Sequence, residues 1–183
     1  MYGVIHRAVR QMVLDRVGSD AWSEIESTAG IGQSQLISAE VYDDEVTLRL
    51  LAGAAQRTGI DMEKFLFEFG RYWIAYMQRG SFGSILKFTG QDFPTFIRNL
   101  DRLHDSVREV MPRAQMPRFK LMAEHQGEMV VEYSSDRQGL EPFVWGLLHG
   151  LLDHFELTGE VRMSPGDNGK TLFLISHEWE PAG

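Results

Sequence analysis

Two groups of residues in this 183-residue chain have the types and spacing to do chemistry. The first is a single imidazole. His104 follows Ile97 by seven positions and Leu100 by four, and it precedes Val107 by three. On a helix it therefore belongs to the apolar stripe. Such a histidine reads either as a core residue satisfied by a hydrogen bond or as an axial metal ligand. An imidazole in an apolar pocket stays neutral and keeps a lone pair, which is what iron needs. The other five histidines have simpler readings. His125 falls in a strand end or turn, His177 lies in the last strand, and His6 flanks Arg7. His149 and His154 are five apart, a spacing that does not align two ligands on one helical face.

The second group is Tyr133-Ser134-Ser135-Asp136-Arg137. It closes a strand-like run, and alternation places Tyr133, Ser135 and Arg137 on one face. A phenol, a hydroxyl and a guanidinium in a row suit two neighbouring carboxylates or a phosphate. The plain reading is a strand end with a surface arginine. Aromatic residues make up 11% of the chain and there are nine methionines. That composition suits an ordinary core as well as an apolar ligand. Taken together, the three features suggest haem, with propionates at the donor row, the porphyrin among the aromatics and the iron at His104.

The elements that must position these residues follow from period and punctuation. Amphipathic helices are expected over 2–17, from Ser19 or Asp20 to Ala29, over 44–58 and from an Asp61 cap to about Met77. A short helical piece lies around Gly80, Gly83, Phe82, Ile85 and Leu86. A long helix opens at Asp92, tolerates Pro94 in its first turn and runs to about Val110. The period then changes. Strands are expected over 119–124 and 128–133, a helix over 139–157, and strands over 158–164 and 170–179. This is an α+β plan: a helical N-terminal part, then a part with about four antiparallel strands and a long helix. No repeat or linker divides it, so the reading is one domain over 1–183, with a helical part over 1–60 and a ligand-holding part over 61–183.

Eighteen basic against twenty-six acidic residues leave a net charge of −8. Dispersed negative charge argues against nucleic acid and anionic membranes as main partners. The absence of cysteine removes disulfides, thiol catalysis, Cys-based zinc and covalent c-type haem. No apolar run is long enough for a membrane helix and the N-terminus does not read as a signal peptide, so the expected location is the cytoplasm.

With these residues in view, the chain resembles the haem nitric oxide/oxygen-binding (H-NOX) family, bacterial relatives of the soluble guanylate cyclase haem domain. The resemblance rests on Met1-Tyr2-Gly3, Phe69-Gly70-Arg71-Tyr72-Trp73, Asn99-Leu100-Asp101-Arg102-Leu103-His104, Pro117-Arg118-Phe119, Tyr133 through Leu140, and Gly146-Leu147-Leu148-His149-Gly150. It implies a haem b cofactor with His104 as iron ligand and Tyr133, Ser135 and Arg137 as propionate clamp. Pro117 would press on the porphyrin, and Ile5, Trp73, Phe82, Phe143 and Leu147 would line the pocket. The implied function is gas sensing without catalysis. Nitric oxide, and also CO, would bind ferrous iron, the bond to His104 would weaken, and a separate histidine kinase or cyclic-di-GMP enzyme would respond. Oxygen-binding members carry a tyrosine on the helix after the Tyr-x-Ser-x-Arg motif. Here Phe143 takes that place and Trp145 lies ~200° around the helix from it. Trp73 is the remaining donor. Competing readings are an oxygen-binding or redox-sensing protein of the same fold, a haem enzyme such as a peroxidase or NO dioxygenase, and an apo interaction module. An enzyme needs distal acid–base groups, and the expected pocket positions are apolar or aromatic.

Overall fold

The computed structural model describes residues 1–32, 36–38, 40–80 and 83–178. The chain falls into two compact units, Met1–Phe69 and Gly70–Gly183. The N-terminal unit carries α1 (Gly3–Val17), α2 (Ser19–Ala29), α3 (Asp44–Thr58) and the first part of α4 (Met62–Arg79). Its core is Val9, Met12 and Val13 of α1, Trp22 and Ile25 of α2, and Leu50, Leu51 and Ala54 of α3. Asp61 caps α4 as expected, its Oδ1 accepting from Lys64 N–H at 2.9 Å. The start of α2 differs from expectation. Gly18, at φ 86°, is its N-cap, and no side chain caps it.

The C-terminal unit holds the rest of α4, α5 (Gly83–Thr89), α6 (Phe93–Val110), β1 (Arg118–His125), β2 (Glu128–Ser134), α7 (Glu141–His154), β3 (Gly159–Pro165) and β4 (Thr171–His177). Its four strands form one antiparallel sheet in the order β1-β2-β4-β3. The sheet's inner face presents Phe119, Met129, Val131, Tyr133, Val161, Phe173 and Ile175. These join Ile97 and Leu100 of α6 and Val144, Leu148, Leu151 and Leu152 of α7 in one apolar cluster. The α+β plan is thus observed, with four strands.

Helix α7 is shorter than the expected 139–157. Gly139 sits at φ 79° before the helix and Glu156 at φ 57° after it, neither of which continues a helix, and Pro142 is accommodated in the first turn. Helices α4 and α7 meet at glycine. A Cβ on Gly70 would lie 2.1 Å from the Phe143 carbonyl oxygen and 2.6 Å from the Leu147 nitrogen. Only glycine allows that backbone approach.

Candidate functional site

The site is organised by α6. Its N-cap, Asp92, accepts from Thr95 N–H at 2.8 Å, and Pro94 pre-sets the first turn. Phe93, Phe96, Ile97 and Leu100 are buried on one face, and His104 continues that face one turn later. The imidazole is half-buried and its Nδ1 is fully enclosed, without a hydrogen-bond partner among the described residues. Burial lowers its pKa to about 4. The charges of Asp101 and Asp105 and the Pro117 carbonyl oppose this, and Arg108 adds to it. His104 is therefore a neutral imidazole at neutral pH, the form a metal requires.

Beside His104 lies Phe119, ring centroids 5.4 Å apart, and Phe119 is 5.4 Å from Tyr133 on its other side. Sheet register causes the second contact: Phe119 of β1 is directly opposite Tyr133 of β2. Burial raises the pKa of the Tyr133 phenol, while a hydrogen bond with Ser135 and the charge of Arg137 pull it back.

Tyr133, Ser135 and Arg137 are brought together, but not by strand alternation. Strand β2 ends at Ser134, and beyond it alternation no longer holds. A local turn does the work instead: the Arg137 N–H donates to Ser135 Oγ at 3.1 Å. The Arg137 guanidinium reaches back to the Gln115 carbonyl at 2.7 Å, and Arg108 donates to the Met116 carbonyl at 3.4 Å. Two cationic side chains thus hold the segment that ends in Pro117.

A second group forms between α4 and α7. Trp73 meets Phe143 edge-on at 6.5 Å, one turn after the Gly70 contact, and Leu147 is one turn further along α7. All three are partly buried and pack against the main cluster. Trp145 does not join them. Its indole N–H donates to the Val161 carbonyl of β3 at 2.7 Å, in line with its angular separation from Phe143. Ile5 lies half-buried on α1 in the N-terminal unit, and Phe82 lies outside the described residues.

Sequence reasoning missed Asp101. Its carboxylate accepts from the Phe119 backbone N–H at 3.2 Å and lies 3.6 Å from the Arg118 guanidinium. Its position three residues before His104, on the same helical side, was the available signal. It also missed that His6 is a core residue, with no exposed surface.

A family model described as Haem-NO-binding matches residues 2–163. Soluble guanylate cyclase gcy-35 of Caenorhabditis elegans is 30% identical over 152 residues, covering 81% of this chain and 22% of that protein. Soluble guanylate cyclase gcy-33 of the same organism is 24% identical over 148 residues, again 81% of this chain but 16% of that protein. The chain thus spans less than a quarter of these two relatives. Among solved structures, an H-NOX protein from S. oneidensis in the Fe(II)NO state superposes with TM-score 0.85 at 18% identity, covering 97% of this chain and 99% of that one. Unliganded Fe(II) H-NOX from K. algicida gives 0.82 at 20% identity, with both chains fully covered. An oxygen complex of an H-NOX domain related to soluble guanylate cyclases gives 0.82 at 21% identity, covering 98% and 95%. One fold accommodates both gases. The chain belongs to the Haem-NO-binding family, haem-based gas-sensor domains related to those of soluble guanylate cyclases.

Proposed function

We propose that this protein is a nitric oxide sensor holding haem b, with His104 as iron ligand. Tyr133, Ser135 and Arg137 hold the propionates, and Pro117 bears on the porphyrin. Trp73, Phe143 and Leu147 contribute to the lining. The observation that carries this reading is His104 itself. It is a neutral imidazole in apolar surroundings, within two ring contacts of a cluster of phenol, hydroxyl and guanidinium donors. The residues fit the group chemically. An uncharged nitrogen ligand, partly buried apolar side chains and a fixed cationic fork match iron, porphyrin and propionate in turn.

Haem, held through His104, would supply a ferrous iron able to take up NO. What the chain contributes is the response. His104 is carried on α6, so a change in how the imidazole is held would be passed to the α6 turn around it. Asp101 and Arg108, on the same stretch, join α6 to Phe119 and to the segment before Pro117. Movement of α6 is thus felt at β1 and at the donor cluster, and a partner reading that surface would sense it. The partner class we favour is a histidine kinase or a cyclic-di-GMP enzyme, in the cytoplasm. No described helix is long and apolar enough to cross a membrane.

Selection of NO over oxygen is supported by the indole of Trp145, whose N–H is already used by the Val161 carbonyl, and by Phe143, which has no donor. Bound oxygen gains greatly from a nearby hydrogen-bond donor and NO gains little. The test is spectroscopic. The haem-loaded ferrous protein should show a Soret band that shifts with NO and with CO and does not form a stable oxygen spectrum in air. A stable, reversible oxygen spectrum would overturn the selectivity. A protein that stays colourless when given haemin would overturn the whole reading.

A further inference from the structure

Helix α6 has a second working side. Asn99, Leu103, Ser106 and Val110 follow one another at spacings of four, three and four, the period of a helix-packing stripe. That stripe is turned about 130° around the helix from His104. Beside it α5 and α6 enclose a groove of about 200 Å³, with Ile85, Phe88 and Leu103 as its apolar walls and Asn99, Arg102 and Ser106 as its polar ones. The Asn99 amide donates to the Thr89 carbonyl at 2.8 Å and ties the two helices together. Sites for small molecules hold ~300–1,000 Å³, so a groove of this size suits side chains.

The stripe is left uncovered by this chain. Among the described residues, the two most exposed large apolar side chains are Phe88 at 86% and Val110 at 80%, and both belong to this side. Charge sets it apart as well. Elsewhere on α6 the charges are paired: Arg98 with Glu124, Asp101 with Arg118, and Asp105 with Arg108. Arg102 and Glu109 are exposed and belong to no ion pair among the described residues. They are seven residues apart, so they stand on one flank of the stripe. Laid antiparallel on a copy of itself, with a two-fold axis between Asp105 and Ser106, α6 brings Arg102 of each copy against Glu109 of the other. Opposite charges placed symmetrically about the centre of one stripe complement that same stripe, which is what an isologous interface requires.

We propose that this side of α6, together with Phe88 of α5, is a self-association surface. Two copies of the chain pair through antiparallel α6 helices, cover Phe88 and Val110, and close two Arg102–Glu109 bridges across the two-fold axis. Apolar burial supplies the affinity. The bridges, at the rim, set orientation and register more than strength. The pairing does not depend on what His104 binds.

Sedimentation velocity of the 183-residue protein over a range of concentrations carries the test, with melting temperature as the control for folding. Wild type should form a dimer that dissociates on dilution. Phe88→Ala should weaken association about 30-fold or more, as loss of a central aromatic anchor does. Leu48→Ala, at an exposed apolar position on α3, should leave it unchanged. Arg102→Glu and Glu109→Arg should each weaken association about 10-fold by placing like charges opposite one another. An equal mixture of those two variants should regain it, because each copy then meets its opposite charge, and so should the variant carrying both changes. The chain has no cysteine, so Ser106→Cys introduces a single thiol beside the two-fold axis and should cross-link into a dimer on mild oxidation. A wild type that stays monomeric at every concentration would overturn the proposal, and so would a dimer that Phe88→Ala leaves intact. A mixture of the two charge variants that associates no better than either alone would overturn the antiparallel register.

Discussion

The chain holds two histidines in apolar surroundings, one in each unit, and burial lowers the pKa of each to about 4. They differ in what surrounds them. His6 is fully enclosed, its Nε2 is 2.8 Å from the Thr47 hydroxyl, and its ring lies 4.8 Å from Tyr42. The Met1 ammonium, bound to the Tyr42 carbonyl at 2.5 Å and to Asp44 at 2.8 Å, adds positive charge that further keeps it neutral. One nitrogen is occupied and the ring is part of a helical core. His104 is half-buried and flanked by an aromatic ring, with Tyr133 two ring contacts away and Ser135 and Arg137 acting on Tyr133 in turn. Burial and a depressed pKa are common to both, so neither identifies a ligand. The neighbours of the ring distinguish them.

Three measurements break or sharpen that contrast. The largest effect is expected at Gly70. An alanine Cβ there would strike backbone atoms of Phe143 and Leu147, so Gly70→Ala should cost about 3 kcal/mol in urea unfolding and lower haem retention. Gly53, on α3, is the counterpart in the N-terminal unit. Its Cβ would meet the Ile25 side chain at an ordinary 3.4 Å, and Gly53→Ala should stabilise by about 0.5–1 kcal/mol.

Acid should separate the two units next. The folded pKa of His6 is depressed, so below about pH 6.5 the unfolded chain takes up a proton that the folded one refuses. Stability falls until about pH 4, by up to about 3 kcal/mol. His6→Gln should flatten the dependence of urea unfolding on pH across that window. An unchanged slope would mean that His6 is protonated in the fold.

Arg137→Ala comes third. Losing a charge-assisted bond worth ~1.5–3 kcal/mol should speed haem loss to an apo-globin acceptor by about 10- to 100-fold, clearly more than Ser135→Ala does. Equal, wild-type retention in both variants would contradict the clamp.

Most of the architecture was legible in the sequence because its signals are local. Asp92 with Pro94 announced α6, Asp61 announced α4, and the change from helical to alternating period at Phe119 announced the sheet. The site was legible only where residues sit close in sequence. Tyr133, Ser135 and Arg137 were grouped by strand alternation, whereas a hydroxyl-stabilised turn and not a pleat brings them together. Asp101 with Phe119, and Arg137 with Gln115, are bonds between a side chain and a distant backbone group. Backbone donors and acceptors carry no residue signature, so such pairs cannot be read from residue type. His6 was set aside only as the neighbour of Arg7, whereas on a helix adjacent residues point ~100° apart, and His6 is buried.

The central claim is that His104, and not the equally depressed His6, binds the iron. Its most direct test is the ferrous absorption spectrum of His104→Gly and of His6→Gln, each recorded with and without added imidazole. The account predicts that His104→Gly loses the wild-type spectrum and regains it with imidazole, while His6→Gln keeps it throughout. A wild-type spectrum in His104→Gly without imidazole would contradict the assignment.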